Sequence, residues 1–72
     1  MLRCHLLSFL QSSRLTVAEL ARVTGVNRST ITALRDETAA RVELKTIEVL
    51  CLHFGCTVGE MFELGEERVR SP

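Results

Sequence analysis

The spacing of six residues, Leu20, Ala21, Gly25, Val26, Ile31 and Leu34, limits this chain more than any other feature. It describes two short helices joined by a tight turn and packed across one another. Each position has a mechanical reason. Ala21 is small where a second helix must cross closely. Gly25 supplies a positive φ that reverses the chain without a Cβ clash. Val26, Ile31 and Leu34 pin the crossing helix, so its remaining face stays exposed at a fixed angle. A generic helical hairpin needs none of this pattern.

The flanking residues extend the helical reading. Thr16-Val17-Ala18-Glu19 has the form of a capping box, opening a helix that carries Val17, Leu20, Ala21 and Val23. Asn27 can cap a third helix, Arg28 to about Arg35. Upstream, Leu2, Leu6, Phe9 and Leu10 fall at helical spacing and predict a first helix that fades at Gln11-Ser12-Ser13-Arg14. Downstream, Asp36 to Glu43 reads as a polar connector anchored by Val42. A fourth helix from about Leu44 to Phe54 places Ile47, Leu50, Cys51 and Phe54 on one face and stops at Gly55. Thr57-Val58-Gly59-Glu60 is a second capping box, predicting a last helix that buries Val58, Met61 and Phe62. The expected organisation is one domain, residues 1–64, and a charged tail, residues 65–72, that frays.

Composition excludes several classes. One Pro and four Gly in 72 residues are too few turn formers for an all-β fold. A chain this short buries only about 60% of its unfolded surface, which leaves little room for a deep substrate cavity. Three Phe, with no Trp or Tyr, give no stacking platform for single-stranded nucleic acid. Apolar runs stop at four residues, as in Val49-Leu50-Cys51-Leu52, so no membrane span is expected. The odd set Cys4, Cys51 and Cys56 cannot pair fully within the chain. With no signal-like layout at the N-terminus, that suggests a soluble cytoplasmic protein.

The formal net charge is zero, but it is unevenly spread. Residues 1–35 carry five Arg against Glu19, a balance of +4, and residues 36–72 carry four cations against eight acids, a balance of −4. All cations but Lys45 are Arg, whose planar fork suits phosphates and guanine edges. The first half can be a polyanion-facing surface or an ordinary solvated one.

Leu15 to Leu34 (Leu-Thr-Val-Ala-Glu-Leu-Ala-Arg-Val-Thr-Gly-Val-Asn-Arg-Ser-Thr-Ile-Thr-Ala-Leu) resembles the helix-turn-helix of Cro/C1-type (XRE) regulators. Leu44 to Leu64, with Phe54-Gly55-Cys56-Thr57-Val58-Gly59-Glu60-Met61-Phe62, resembles the last two helices of their small stand-alone members. The resemblance implies an all-α, compact five-helix, lambda-repressor-like domain. It implies double-stranded DNA as the partner of a transcriptional regulator, often a homodimer on a near-palindromic operator. Carried over, it sends Arg28, Ser29, Thr32 and Ala33 into the major groove, with Thr30 flanking them. Asn27 and the amides around Thr16 and Val17 would meet phosphates, as a helix N-terminus can. Two positions depart from the family pattern. Val17 stands where many members have Gln. Arg35-Asp36-Glu37-Thr38 replaces a Gly-containing turn, setting two acids near the expected phosphate path.

Other chemistries fit less well. Cys51, His53 and Cys56, with Cys4 or His5, could be imagined around zinc, but no paired Cys-x-x-Cys spacing exists. Cys51 and Cys56 read instead as small buried hydrophobes. A Cys–His nucleophile lacks oxyanion donors, so no enzyme, cofactor or small-molecule substrate is expected. The rival function is a protein-interaction module, such as an antitoxin-like partner subunit, suggested by the acidic second half. Val49, Leu52 and Leu64 are the apolar candidates for a dimer interface on the fourth helix and beyond.

Overall fold

The computed structural model describes residues 2–65. Its elements run β1 (Leu2–Cys4), α1 (Leu6–Ser13), α2 (Val17–Thr24), α3 (Arg28–Arg35), α4 (Leu44–Phe54), α5 (Val58–Met61) and β2 (Phe62–Leu64). The five expected helices are present, and the fold is mostly helical. It is not all-α, because β1 and β2 pair antiparallel in the register Leu2↔Leu64, Arg3↔Glu63, Cys4↔Phe62. Residues 66–72 of the expected tail lie outside the described residues.

The helical spacing that included Leu2 therefore overreached. Leu2 is exposed, and α1 opens at Leu6 behind His5, whose side chain makes no capping bond. A two-stranded ribbon alone is marginal in water. This one is held from below: Cys4 and Phe62 pack against the core, and the His5 N–H donates to the Met61 carbonyl at 2.8 Å. The last helix is correspondingly a single turn, since Phe62 is already extended at φ −124° and ψ 139°. Met61 is buried as expected, Phe62 is half-buried on the strand, and Val58 is exposed rather than buried.

Leu6, Leu10, Leu20, Ile31, Leu34, Leu50, Cys51 and Met61 form the core, with no buried polar or charged side chain among the described residues. Ala21, Val26 and Val42 pack at its margin as the sequence requires, whereas Val23 is exposed. The rings of Phe9 and Phe54 meet at 5.3 Å and join α1 to α4.

Both capping boxes form. Thr16 Oγ1 accepts from the Glu19 N–H at 3.1 Å, and the Glu19 carboxylate accepts from the Thr16 N–H at 2.9 Å. Thr57 and Glu60 repeat this at 3.1 and 2.8 Å. Gly25 reverses the chain at φ +78° and donates to the Ala21 carbonyl at 2.9 Å. Thr24 tightens the same turn, its hydroxyl donating to the Leu20 carbonyl and accepting from the Val26 N–H.

Three other helices end alike, with a left-handed residue followed by an N–H that reaches back five residues. Leu15 bonds Leu10, Thr38 bonds Ala33 and Cys56 bonds Cys51, at 3.0, 2.8 and 3.0 Å. The left-handed residues are Arg14, Glu37 and Gly55.

Candidate nucleic-acid interface

The site begins at the cap of α3. Asn27 Oδ1 accepts from the Ser29 N–H at 2.8 Å and from the Ser29 hydroxyl at 2.6 Å. Two consequences follow. The Asn27 amide nitrogen keeps its donors, and the Ser29 hydroxyl has its proton engaged and offers lone pairs. Ser29 thus faces outward as an acceptor unless its hydroxyl turns away from the cap.

Ile31 and Leu34 are buried, which fixes the rotation of α3 and turns the opposite face outward. Arg28 and Arg35 border one shallow cleft with Arg14, Thr16, Val17 and Ala18. Thr32, at helical spacing between the two arginines, is half-buried. This cleft runs between the end of α1, the start of α2 and α3, and it gathers three guanidinium-bearing residues beside a helix N-terminus. The structure brings Thr16, Val17 and Arg28 together here. Ala33 goes elsewhere: it borders a crevice lined by Leu34, Val42 and Phe62 beneath the ribbon. Its carbonyl is occupied by Thr38.

Asn27 and Thr30 border the other flank of α3, facing Glu43, Lys45 and Thr46 at the start of α4. Sequence reasoning did not single out Lys45 or Thr46. No local motif marks them, and only the path of the connector brings α4 beside the cap of α3.

The two acids after α3 are accounted for. Arg35 Nε and Nη2 grip the Asp36 carboxylate at 2.9 and 3.2 Å, and this fork holds the Asp36 carboxyl below its usual range. Glu37 adopts φ +60°, the conformation a Gly usually takes there. Its carboxylate accepts from Arg3 Nε at 2.9 Å and from the Cys4 N–H at 3.1 Å. Arg3 first, then the Cys4 N–H, hold Glu37 below its ordinary value. The end of α3 is thereby tied to β1, and neither carboxylate stands unpaired toward a phosphate.

The dimer candidates separate. Leu52 is 74% exposed and shares a cleft with Leu44, 82% exposed, and Val58, 55% exposed. Val49 is half-buried against Thr24 and Val26, on the flank of α3. Leu64 is exposed at the end of the ribbon opposite Leu2. Val49 and Leu52 thus border different clefts along α4, and Leu64 lies on the ribbon.

A capped, crossed pair of helices with a basic outward face defines a helix-turn-helix protein. Residues 5–67 match the family of the Cro/C1-type HTH DNA-binding domain. That span covers most of the chain, and the protein belongs to this DNA-binding family. Neither a curated protein nor a solved structure matches it. No helix among the described residues is long and apolar enough to cross a membrane.

Proposed function

We propose that the protein is a transcriptional regulator that reads duplex DNA by laying α3 in the major groove. The observation that carries this reading is the outward face of α3. Arg28 has no partner among the described residues, and Arg14 and the capped start of α2 stand beside it. Arg28 would fork onto guanine O6 and N7, while Ser29 and Thr32 would meet neighbouring base edges. The Val17 amide on one flank, and Asn27 with Lys45 on the other, would hold the two phosphate strands, while the Thr16 N–H stays with Glu19 and the role expected of it passes to its neighbour's amide. Thr30 would guide the second strand. Val17, having no amide side chain, would contribute its N–H alone.

One recognition helix covers few base pairs, so two copies on a near-palindromic operator fit the function best, with their α3 helices about 34 Å apart. The exposed face of Leu44, Leu52 and Val58 is suited to pairing, because its cleft shares no residue with those bordering α3. The same face supports the second reading, a subunit that docks on another protein.

Selection from a random duplex library tests the choice. Enrichment of one motif is expected, with log K falling by about 0.9 per log salt for each phosphate neutralised. Equal affinity for selected and random DNA would transfer the reading to the docking subunit. Sedimentation showing a monomer, both free and on a two-half-site duplex, would remove the dimer.

A further inference from the structure

Among the described residues a left-handed backbone occurs at Arg14, with φ +56°, and at Gly25, Glu37 and Gly55. The two glycines adopt it without a Cβ clash. Glu37 does not have that freedom, but its carboxylate is received by Arg3 and the Cys4 N–H. Arg14 has neither reason. Its N–H closes α1 on the Gln11 carbonyl at 3.2 Å, a bond that a glycine N–H makes equally well. Its side chain is exposed and makes no hydrogen bond or ion pair with another described residue. The described fold therefore gains nothing from an arginine at this turn, and the left-handed conformation costs an L-residue stability.

The position of Arg14 supplies the reason. It borders the shallow cleft with Thr16, Val17, Ala18, Arg28 and Arg35, and no Asp or Glu lines that cleft. Asp36 engages Arg35, so Arg14 and Arg28 are the guanidiniums left there to meet a ligand. Glu19, held in the capping box by the Thr16 N–H, puts a negative charge at the same start of α2. That charge opposes a phosphate unless a cation stands beside it.

We infer that Arg14 is a phosphate-contacting residue of the duplex site, holding the strand that passes the start of α2 while α3 reads the bases. The inference rests on the reading of the protein as a duplex-binding regulator. A guanidinium forks onto two phosphate oxygens, and its charge offsets that of Glu19. Phosphates carry no base identity, so Arg14 strengthens binding to every duplex alike and sets the register of α3 without choosing the operator. Fold stability is given up at the turn for affinity at the cleft.

Substitutions at Arg14 separate the charge from the backbone, read by thermal melts and by titration of operator and random duplexes. Arg14→Gly removes the side chain and the conformational cost together. It should raise the melting temperature by about 4–8 °C, the shift that relief of one left-handed residue gives a domain of this size. It should also bind both duplexes about fivefold more weakly at about 0.15 M salt, with a salt slope shallower by about 0.9. Arg14→Gln should lose the same affinity with no gain in melting temperature, and Arg14→Lys should keep most of the affinity. Equal binding by Arg14→Gly, on an operator that the unaltered chain does select, would overturn the role of Arg14 alone. So would a loss confined to the selected motif, which marks a base contact, or a lowered melting temperature in Arg14→Gly. Failure of the unaltered chain to prefer any motif falls on the duplex reading first, and removes the phosphate contact with it.

Discussion

Replacing Asn27 by Asp separates the cap that the residue makes from the phosphate contact proposed for it. Its Oδ1 caps α3 by accepting from the Ser29 N–H and hydroxyl, and an Asp carboxylate can make both bonds. Asn and Asp cap about equally well, and a negative charge at a helix N-terminus adds about 0.3–1 kcal/mol. Asn27→Asp should therefore fold with unchanged or slightly greater stability. Its effect on DNA has the opposite sign, because the free amide donors are replaced by an anion facing a phosphate. Two unit charges about 4 Å apart repel by about 1 kcal/mol in water and about 4 kcal/mol at a half-shielded surface. That corresponds to a loss between about fivefold and about a thousandfold in affinity. The salt dependence should become shallower by up to about 0.9 in slope. Asn27→Ala is the companion, losing the cap and about 1 kcal/mol of stability. Urea melts and titration of a labelled operator duplex measure both quantities. If Asn27→Asp bound DNA as tightly as the unaltered protein at low salt, Asn27 would not face a phosphate.

Arg28→Ala should cost about 1–3 kcal/mol of binding on the preferred site and relax selectivity at one base pair. A uniform loss on all sequences, measured across single-base operator variants, would make it a phosphate contact instead. Gly25→Ala should destabilise by about 1–2 kcal/mol through its left-handed backbone alone, since no atom lies within 4 Å of the added Cβ. Denaturant midpoints check this, and Gly25→Asn should lose less. Asp36 and Glu37 are held below their ordinary values of 3.8 and 4.5, so their contribution is complete above those values. It is lost as pH falls through the lowered folded values. Glu37→Gln should flatten that acid limb in melts taken between about pH 6 and about pH 3.

The helix-turn-helix was legible because its signals are local. Capping boxes at Thr16 and Thr57, the reversal at Gly25 and the apolar spacing through Leu34 each involve residues a few positions apart. Those contacts form the same way in almost any context. The outward position of Arg28 follows from the burial of Ile31 and Leu34, so it too was readable. The place of Ala33 beside the crevice was not readable, because helical spacing gives direction but not neighbours. The ribbon above it supplies Phe62, which arrives from the far end of the chain.

What the sequence determined by itself is thus the helices, their caps and the outward face of α3, all governed by backbone geometry and periodicity over a few residues. Only the tertiary structure decided the rest. Three-residue strands carry no period, and β1 meets β2 about sixty residues away, through a register that sequence does not display. Glu37 takes a glycine's conformation because Arg3 and the Cys4 N–H receive its carboxylate, a long-range partnership that overrides local preference. The placing of Leu64 on the ribbon, apart from Val49 and Leu52 on α4, has the same origin. Packing against distant elements, not spacing along one helix, sets which apolar side chains remain in water.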